Sequence, residues 1–241
     1  MKFEDIIKKI SGFLAAVVIF LLAAGTYLKI KGFDMNPDGN IVLVQGANAA
    51  MNTVKPATHV ELNEALPKNH ILGNPNAPVA IYEFSSLGCF HCQDFHVDIL
   101  PQLKKDFIDT GKVKLIFADF PLDKPSLKAS MLARCMPEDK YYDFLALLFK
   151  KQTEWHRAKN PEDILTQYAT LNGISAEEAQ KCMSDEKIEG ELMSIRQKGI
   201  DSYGILGTPA LLVATRNDRK VFNGLPGYSG LKEMLDKAVG H

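Results

Sequence analysis

The stretch "SSLGCFHCQDFH", residues 85–96, holds two cysteines two residues apart with a histidine between them, at the border of a strand-like and a helix-like run. Before it, "PVAIYEFSS" is short, apolar and β-leaning, and reads as a buried strand. From Cys89 the period changes: Phe95, Ile99 and Leu103 share one helical face, and Pro101 predicts a kink near Leu100. "KVKLIFADFPL" then alternates from Val113 through Leu115 and Phe117, which predicts a second strand. Strand, helix, strand is a βαβ unit with a right-handed crossover, so the sheet is at least partly parallel. A Cys-x-x-Cys at such a border can exchange electrons with other thiols or hold a metal. Two cysteines that merely fell close together in a core is the plain alternative.

After Pro125 the texture becomes helical for about 75 residues. Its segments are "SLKASMLARCM", "DKYYDFLALLFKKQTEW", "NPEDILTQYATLN" and "SAEEAQKCMSDEKIEGELMSIRQK". Asn160-Pro161 forms an N-cap and first-turn pair, and Ser175 with Glu178 fits a capping box. "TPALLVA" and "VFNGL" then read as partner strands around the polar turn "TRNDRK". "YSGLKEMLDKAV" closes the chain with a stripe of Leu231, Met234, Leu235 and Ala238. The order βαβ, helical block, ββα makes this an α/β fold of thioredoxin type with an all-helical insertion over about 125–200.

The whole chain has 241 residues, 46% hydrophobic and 24% charged, which suits one sizeable core. With 28 basic against 29 acidic residues, interspersed throughout, it has no field that would draw nucleic acid. The N-terminus departs from this evenness. "ISGFLAAVVIFLLAAGTYL", residues 10–28, carries no charge and is flanked by Lys8, Lys9, Lys29 and Lys31. At about 1.5 Å per residue it spans the hydrocarbon core of a bilayer. Residues 1–31 therefore read as a signal peptide or membrane anchor. The apolar run is longer than a signal core and Tyr27 suits an interface, which favours a retained anchor. Either way the Lys-bearing end stays in the cytoplasm and the rest lies outside, in an oxidising compartment. Residues 32–69, rich in Asn, Gly, Pro and Ala, read as a linker, and 70–241 as one catalytic domain.

At a helix N-terminus Cys89 meets unpaired N–H groups and the positive end of the helix dipole, which favour a thiolate. His91, if protonated, adds a positive charge beside it; the alternative is a solvated surface histidine. Glu83 is an acid within the apolar "VAIYEF". Buried there, it shifts toward its neutral form and can trade protons with the inner cysteine; on an edge strand it simply faces water. Zinc has Cys89, Cys92, His91 and His96 as conceivable ligands, but no second Cys-x-x-Cys completes a structural site. No metal and no cofactor beyond the two sulfurs is expected.

"CFHC" opening the first helix, Glu83 six residues before Cys89, and "GTPA" opening the strand after the helical block together resemble the DsbA family of bacterial thiol-disulfide oxidoreductases. The resemblance covers roughly residues 70–241. It implies a periplasmic enzyme that introduces disulfides into exported proteins, with Cys89 attacked by the client, Cys92 resolving the mixed disulfide, and Glu83 moving its proton. It further implies a cis Thr208-Pro209 bond opposite the redox pair, with Thr208, Pro209 and Phe90 touching the client. Reoxidation falls to a membrane quinone-linked partner of the DsbB kind. Thr208 is familiar before this proline in the isomerase branch, and Phe90 stands where the best-known oxidases have proline, so an isomerase or reductase is the alternative. A redox-inactive chaperone or binding module would have no evident need of both cysteines.

Cys135 and Cys182 remain. Both fall in the helical block, and two thiols in one small subdomain of an oxidising compartment pair when within reach; some relatives from alphaproteobacteria carry such a bond. Otherwise they are buried free thiols. A Cys135–Cys182 disulfide would need Cα atoms within about 7 Å.

Overall fold

The computed structural model describes residues 33–35, 41–43 and 70–240. The chain divides into two units, Met1–His59 and Val60–His241. In the first, strands β1 (Phe33–Met35) and β2 (Ile41–Leu43) pair antiparallel. The span 32–69, read from composition as linker, thus contains a short hairpin. The apolar run of 10–28 lies outside the described residues. Among those described, no helix is long and apolar enough to cross a membrane.

The second unit is built on strand β4 (Val79–Ser85), whose neighbours on either side are β5 (Val113–Asp119), parallel, and β6 (Ala210–Ala214), antiparallel. β7 (Arg219–Asn223) continues beyond β6, and β3 (Ile71–Leu72) closes the other edge against Leu115 and Ile116, giving the order β3-β5-β4-β6-β7. β3 was not foreseen: two residues carry no periodicity, and only the partner strand makes them one.

The period of two sorts each strand between layers. Val79 and Ile81 of β4, Leu115 of β5, and Leu211 and Val213 of β6 face helix α1 (residues 90–108) and the C-terminal helix α8 (Tyr228–Val239), through Phe95, Leu103, Phe107, Leu231 and Leu235. On the opposite face Phe84, Ala118, Ala210 and Leu212 pack with Phe120, Tyr203 and Ile205. The helix ending at Tyr203 comes so close that a Cβ on Gly199 would lie 2.8 Å from the Phe84 ring.

Helix α1 is irregular. α-Helical turns at Phe90–Asp94 and Leu100–Leu103 alternate with π turns at Phe95–Ile99 and Lys104–Ile108. Pro101 lacks an N–H and its ring crowds the carbonyl four residues back, so the preceding turn widens. The disturbance expected at Leu100 takes the form of a π turn.

Between β5 and β6 lie α2 (Lys124–Arg134), α3 (Tyr141–Lys150), α4 (Gln152–His156), α5 (Pro161–Leu171), α6 (Ala176–Met183) and α7 (Glu186–Tyr203). Phe144, Leu148, Phe149, Trp155, Leu165 and Ala169 form their core, which reaches the sheet at Phe117 and α1 at Cys92. Ser175 and Glu178 close the expected capping box. Asn160 stands at the N-cap position of α5, but its side chain makes no capping bond. The run from Ser175, read as one helix, is two. Asp185 accepts the N–H groups of Lys187 and Ile188 and starts α7 afresh. The whole is a thioredoxin-like fold with a helical insertion.

Candidate active site

Cys89 is the N-cap residue of α1, with extended backbone angles φ −84° and ψ 122°. Its thiol is lowered to about 5, first by a hydrogen bond from the Cys92 thiol, against burial, then by the Thr208 side chain and the backbone N–H groups of Cys92 and His91. The first turn of the helix therefore acts on the sulfur through its amides. His91 contributes its N–H; its imidazole is exposed, with Nδ1 3.5 Å from the Asp94 carboxylate and the ring 4.0 Å from Phe90. Cys92 is fully buried. Burial pushes its thiol far up, and the bond to Cys89 and the charge of Glu83 push it further. Both cysteines are free thiols, so the site is in its reduced form.

The Thr208–Pro209 peptide is cis. It brings the Thr208 carbonyl to 3.5 Å from Cys89 Sγ, which donates to it as a thiol. The Thr208 hydroxyl is buried and has no partner in that arrangement. It becomes the donor when Cys89 ionises, which explains its share in lowering the thiol. Pro209 is buried and Phe90, at 62% exposure, stands free beside the sulfur pair.

Glu83 follows Val79 and Ile81 on the face of β4 that α1 covers, and it is fully buried. His96, four residues beyond Cys92, meets it there, with Nε2 2.9 and 3.1 Å from the two carboxylate oxygens. Sequence reasoning treated His96 only as a conceivable zinc ligand. Its position after Cys92 placed it near the inner sulfur, but the partner thirteen residues away emerges only once strand and helix faces are known. Among the described residues, no three His, Cys, Asp or Glu side chains converge as metal ligands do.

Two further groups escaped notice in the sequence. Gln152 of α4 is buried, and its amide donates to the carbonyls of Leu87 (2.7 Å) and Cys89 (2.9 Å), fixing the loop that presents the outer cysteine. His156, bonded to the Asp123 carboxylate at 2.9 Å, stands with Ser126 over Gly88. A Cβ on Gly88 would lie 2.3 Å from Ser126 Oγ, so only glycine fits before Cys89. Remote from this constellation, Cys135 and Cys182 form a disulfide with Cα atoms 6.3 Å apart. It ties the end of α2 to α6.

Residues 65–237 match the family profile described as Thioredoxin. A protein of Rickettsia bellii named as a protein-disulfide oxidoreductase is 33% identical over 70% of this chain and 64% of its own length. The chain thus spans less than two thirds of that relative. Disulfide bond formation protein D of Bacillus subtilis is 30% identical over 70% of this chain and 76% of its own. Among solved structures, Wolbachia pipientis α-DsbA1 superposes with a TM-score of 0.67 at 30% identity, covering 73% of this chain and 92% of that one.

Proposed function

The chain belongs to the DsbA-like protein-disulfide oxidoreductases, and on that premise we propose that it donates disulfides to proteins exported into the periplasm. The acidity of Cys89 carries the reading. A thiol held at about 5 is a thiolate at neutral pH, so the reduced state is favoured and the disulfide is readily given away. A client thiolate attacks Cys89 Sγ and forms the mixed disulfide, and the Cys89–Cys92 bond breaks with its electron pair on Cys92. A second client thiolate then attacks the client sulfur, the client disulfide closes, and Cys89 leaves as thiolate. Phe90, Thr208 and Pro209 are the proposed contacts for the extended client, and Glu83 the proton carrier for Cys92. Reoxidation is assigned to a quinone-linked membrane partner of the DsbB kind. Thr208 before the cis proline favours one second reading, isomerisation of incorrect disulfides.

Incubation of the protein, first oxidised with glutathione disulfide and freed of excess oxidant, with a reduced, unfolded secreted protein tests the proposal. Wild type is expected to form client disulfides, Cys89→Ser to form none, and Cys92→Ser to accumulate mixed disulfides visible on a non-reducing gel. An active Cys89→Ser variant overturns it.

A further inference from the structure

The Glu83–His96 pair is sealed: its side chains are 0% and 3% exposed. The His96 ring stacks on Phe149 at 4.0 Å, and Phe95 and Phe117 stand edge-on at 5.5 and 5.9 Å. An ionised carboxylate in such a shell must be hydrogen-bonded, and the histidine N–H supplies the bond to both oxygens. Glu83 in turn sits close enough to Cys92 for its charge to act on that thiol.

The phenols that face the pair are poor proton donors near neutral pH, and the other titratable groups there are engaged elsewhere. Tyr141 and Tyr142 on α3 are both pushed up, first by burial, with the Glu83 charge a further cause. Asp119 at the end of β5 is engaged by Arg134 of α2. Cys89 on α1 is held as thiolate. β6 sets Leu211 opposite Glu83. Imidazole is the side chain that ordinarily changes charge between about pH 5 and 8.

We infer that His96 is a positioning residue for disulfide exchange: through Nε2 it holds and recharges Glu83, which passes the proton to and from Cys92. The inference rests on the thiol-exchange reading of this site. When an incoming thiolate breaks the Cys89–Cys92 bond, the electron pair left on Cys92 Sγ takes one proton, which the His96 imidazolium gives up through the Glu83 carboxylate. The sulfur ends as a neutral thiol, and the negative charge rests on the glutamate beside a neutral imidazole. On reoxidation the proton returns the same way, and Cys92 becomes the nucleophile. No solvent proton has to enter the sealed site during the exchange.

The test follows the reduction of the full-length oxidised protein by dithiothreitol across about pH 5 to 8, with rates corrected for the reagent's thiolate. The wild-type corrected rate is expected to fall as pH rises through the imidazole range. His96→Gln keeps an N–H for Glu83 but carries no exchangeable charge. It should flatten the profile and, at the acid end, slow exchange by about a hundredfold, as for loss of a positioned proton donor. Its Cys89 thiolate absorbance should stay as in wild type. A wild-type profile in His96→Gln overturns the relay while leaving the proposed function intact. A wild-type protein that never exchanges overturns the proposed function instead. The second measurement needs no variant: the NMR titration of the His96 ring, assigned through its contact with Phe149, should differ in midpoint between disulfide and dithiol forms. Identical midpoints contradict the relay.

Discussion

At the scale of single residues, the site separates two chemically identical thiols by environment. Cys89 stands at the open end of a helix under amide donors, whereas Cys92 is enclosed by α1 and the helical block, next to an acid. The thiolate of Cys89 should therefore appear by ultraviolet absorbance with a midpoint near about 5; a midpoint at the ordinary thiol value of ~8.5 would contradict its role. The linkage has a definite sign. A thiol lower in the folded than in the unfolded chain stabilises the folded reduced protein at high pH, and that contribution disappears as pH falls through about 5. Half in solvent, the sulfur gains less than an enclosed charge would. Stability of the reduced relative to the oxidised form is expected to decline between neutral pH and about 5, measured by thermal unfolding of both. A difference independent of pH sinks that linkage. The cysteines and Glu83 were legible in sequence because each sits in a local pattern, whereas the cis Thr208–Pro209 bond followed only from the family resemblance. His96, Gln152 and His156 act across the fold on groups 13, 63 or more, and 33 residues away, so no local pattern announces them.

At the scale of elements, the change of period at Cys89 was enough to find β4, α1 and β5, because each presents an apolar face at its own spacing. The errors came where a neighbour decides. β3 exists only through Leu115 and Ile116, and the break between α6 and α7 depends on Asp185 competing for N–H groups inside a run of good helix formers. The Cys135–Cys182 bond ends in α6, just before that break, and closes a separation of 47 residues. On the chain-entropy account it stabilises the domain by about 4 kcal/mol. The paired Cys135→Ala and Cys182→Ala variant should lose stability of that order in denaturant unfolding while its Cys89 thiolate titration is unchanged. Undiminished stability would refute a structural role, and a shifted titration would show that the helical block communicates with the redox pair.

At the scale of the whole molecule, three packed layers converge on one end of the central strand. β4 ends at Ser85 and leads into the cysteine loop, β6 begins just after the cis proline, and α4 reaches back to hold the loop by its carbonyls. The sheet supplies the position, and the helical block covers the inner sulfur and the proton pair. The apolar run of 10–28 would deliver this domain to the outer face of a membrane. Mass spectrometry of the mature protein is expected to find that run retained, whereas an N-terminus at Thr26 or near Met51 would rule out an anchor. The central claim is that the settled Cys89 thiolate makes this pair a donor of disulfides. The reduction potential of the Cys89–Cys92 couple, from equilibration with a glutathione redox series, tests it most directly. A value above roughly −200 mV, toward the disulfide isomerase and DsbA end of the scale, is the predicted result, and one near thioredoxin's value of about −270 mV would contradict the account.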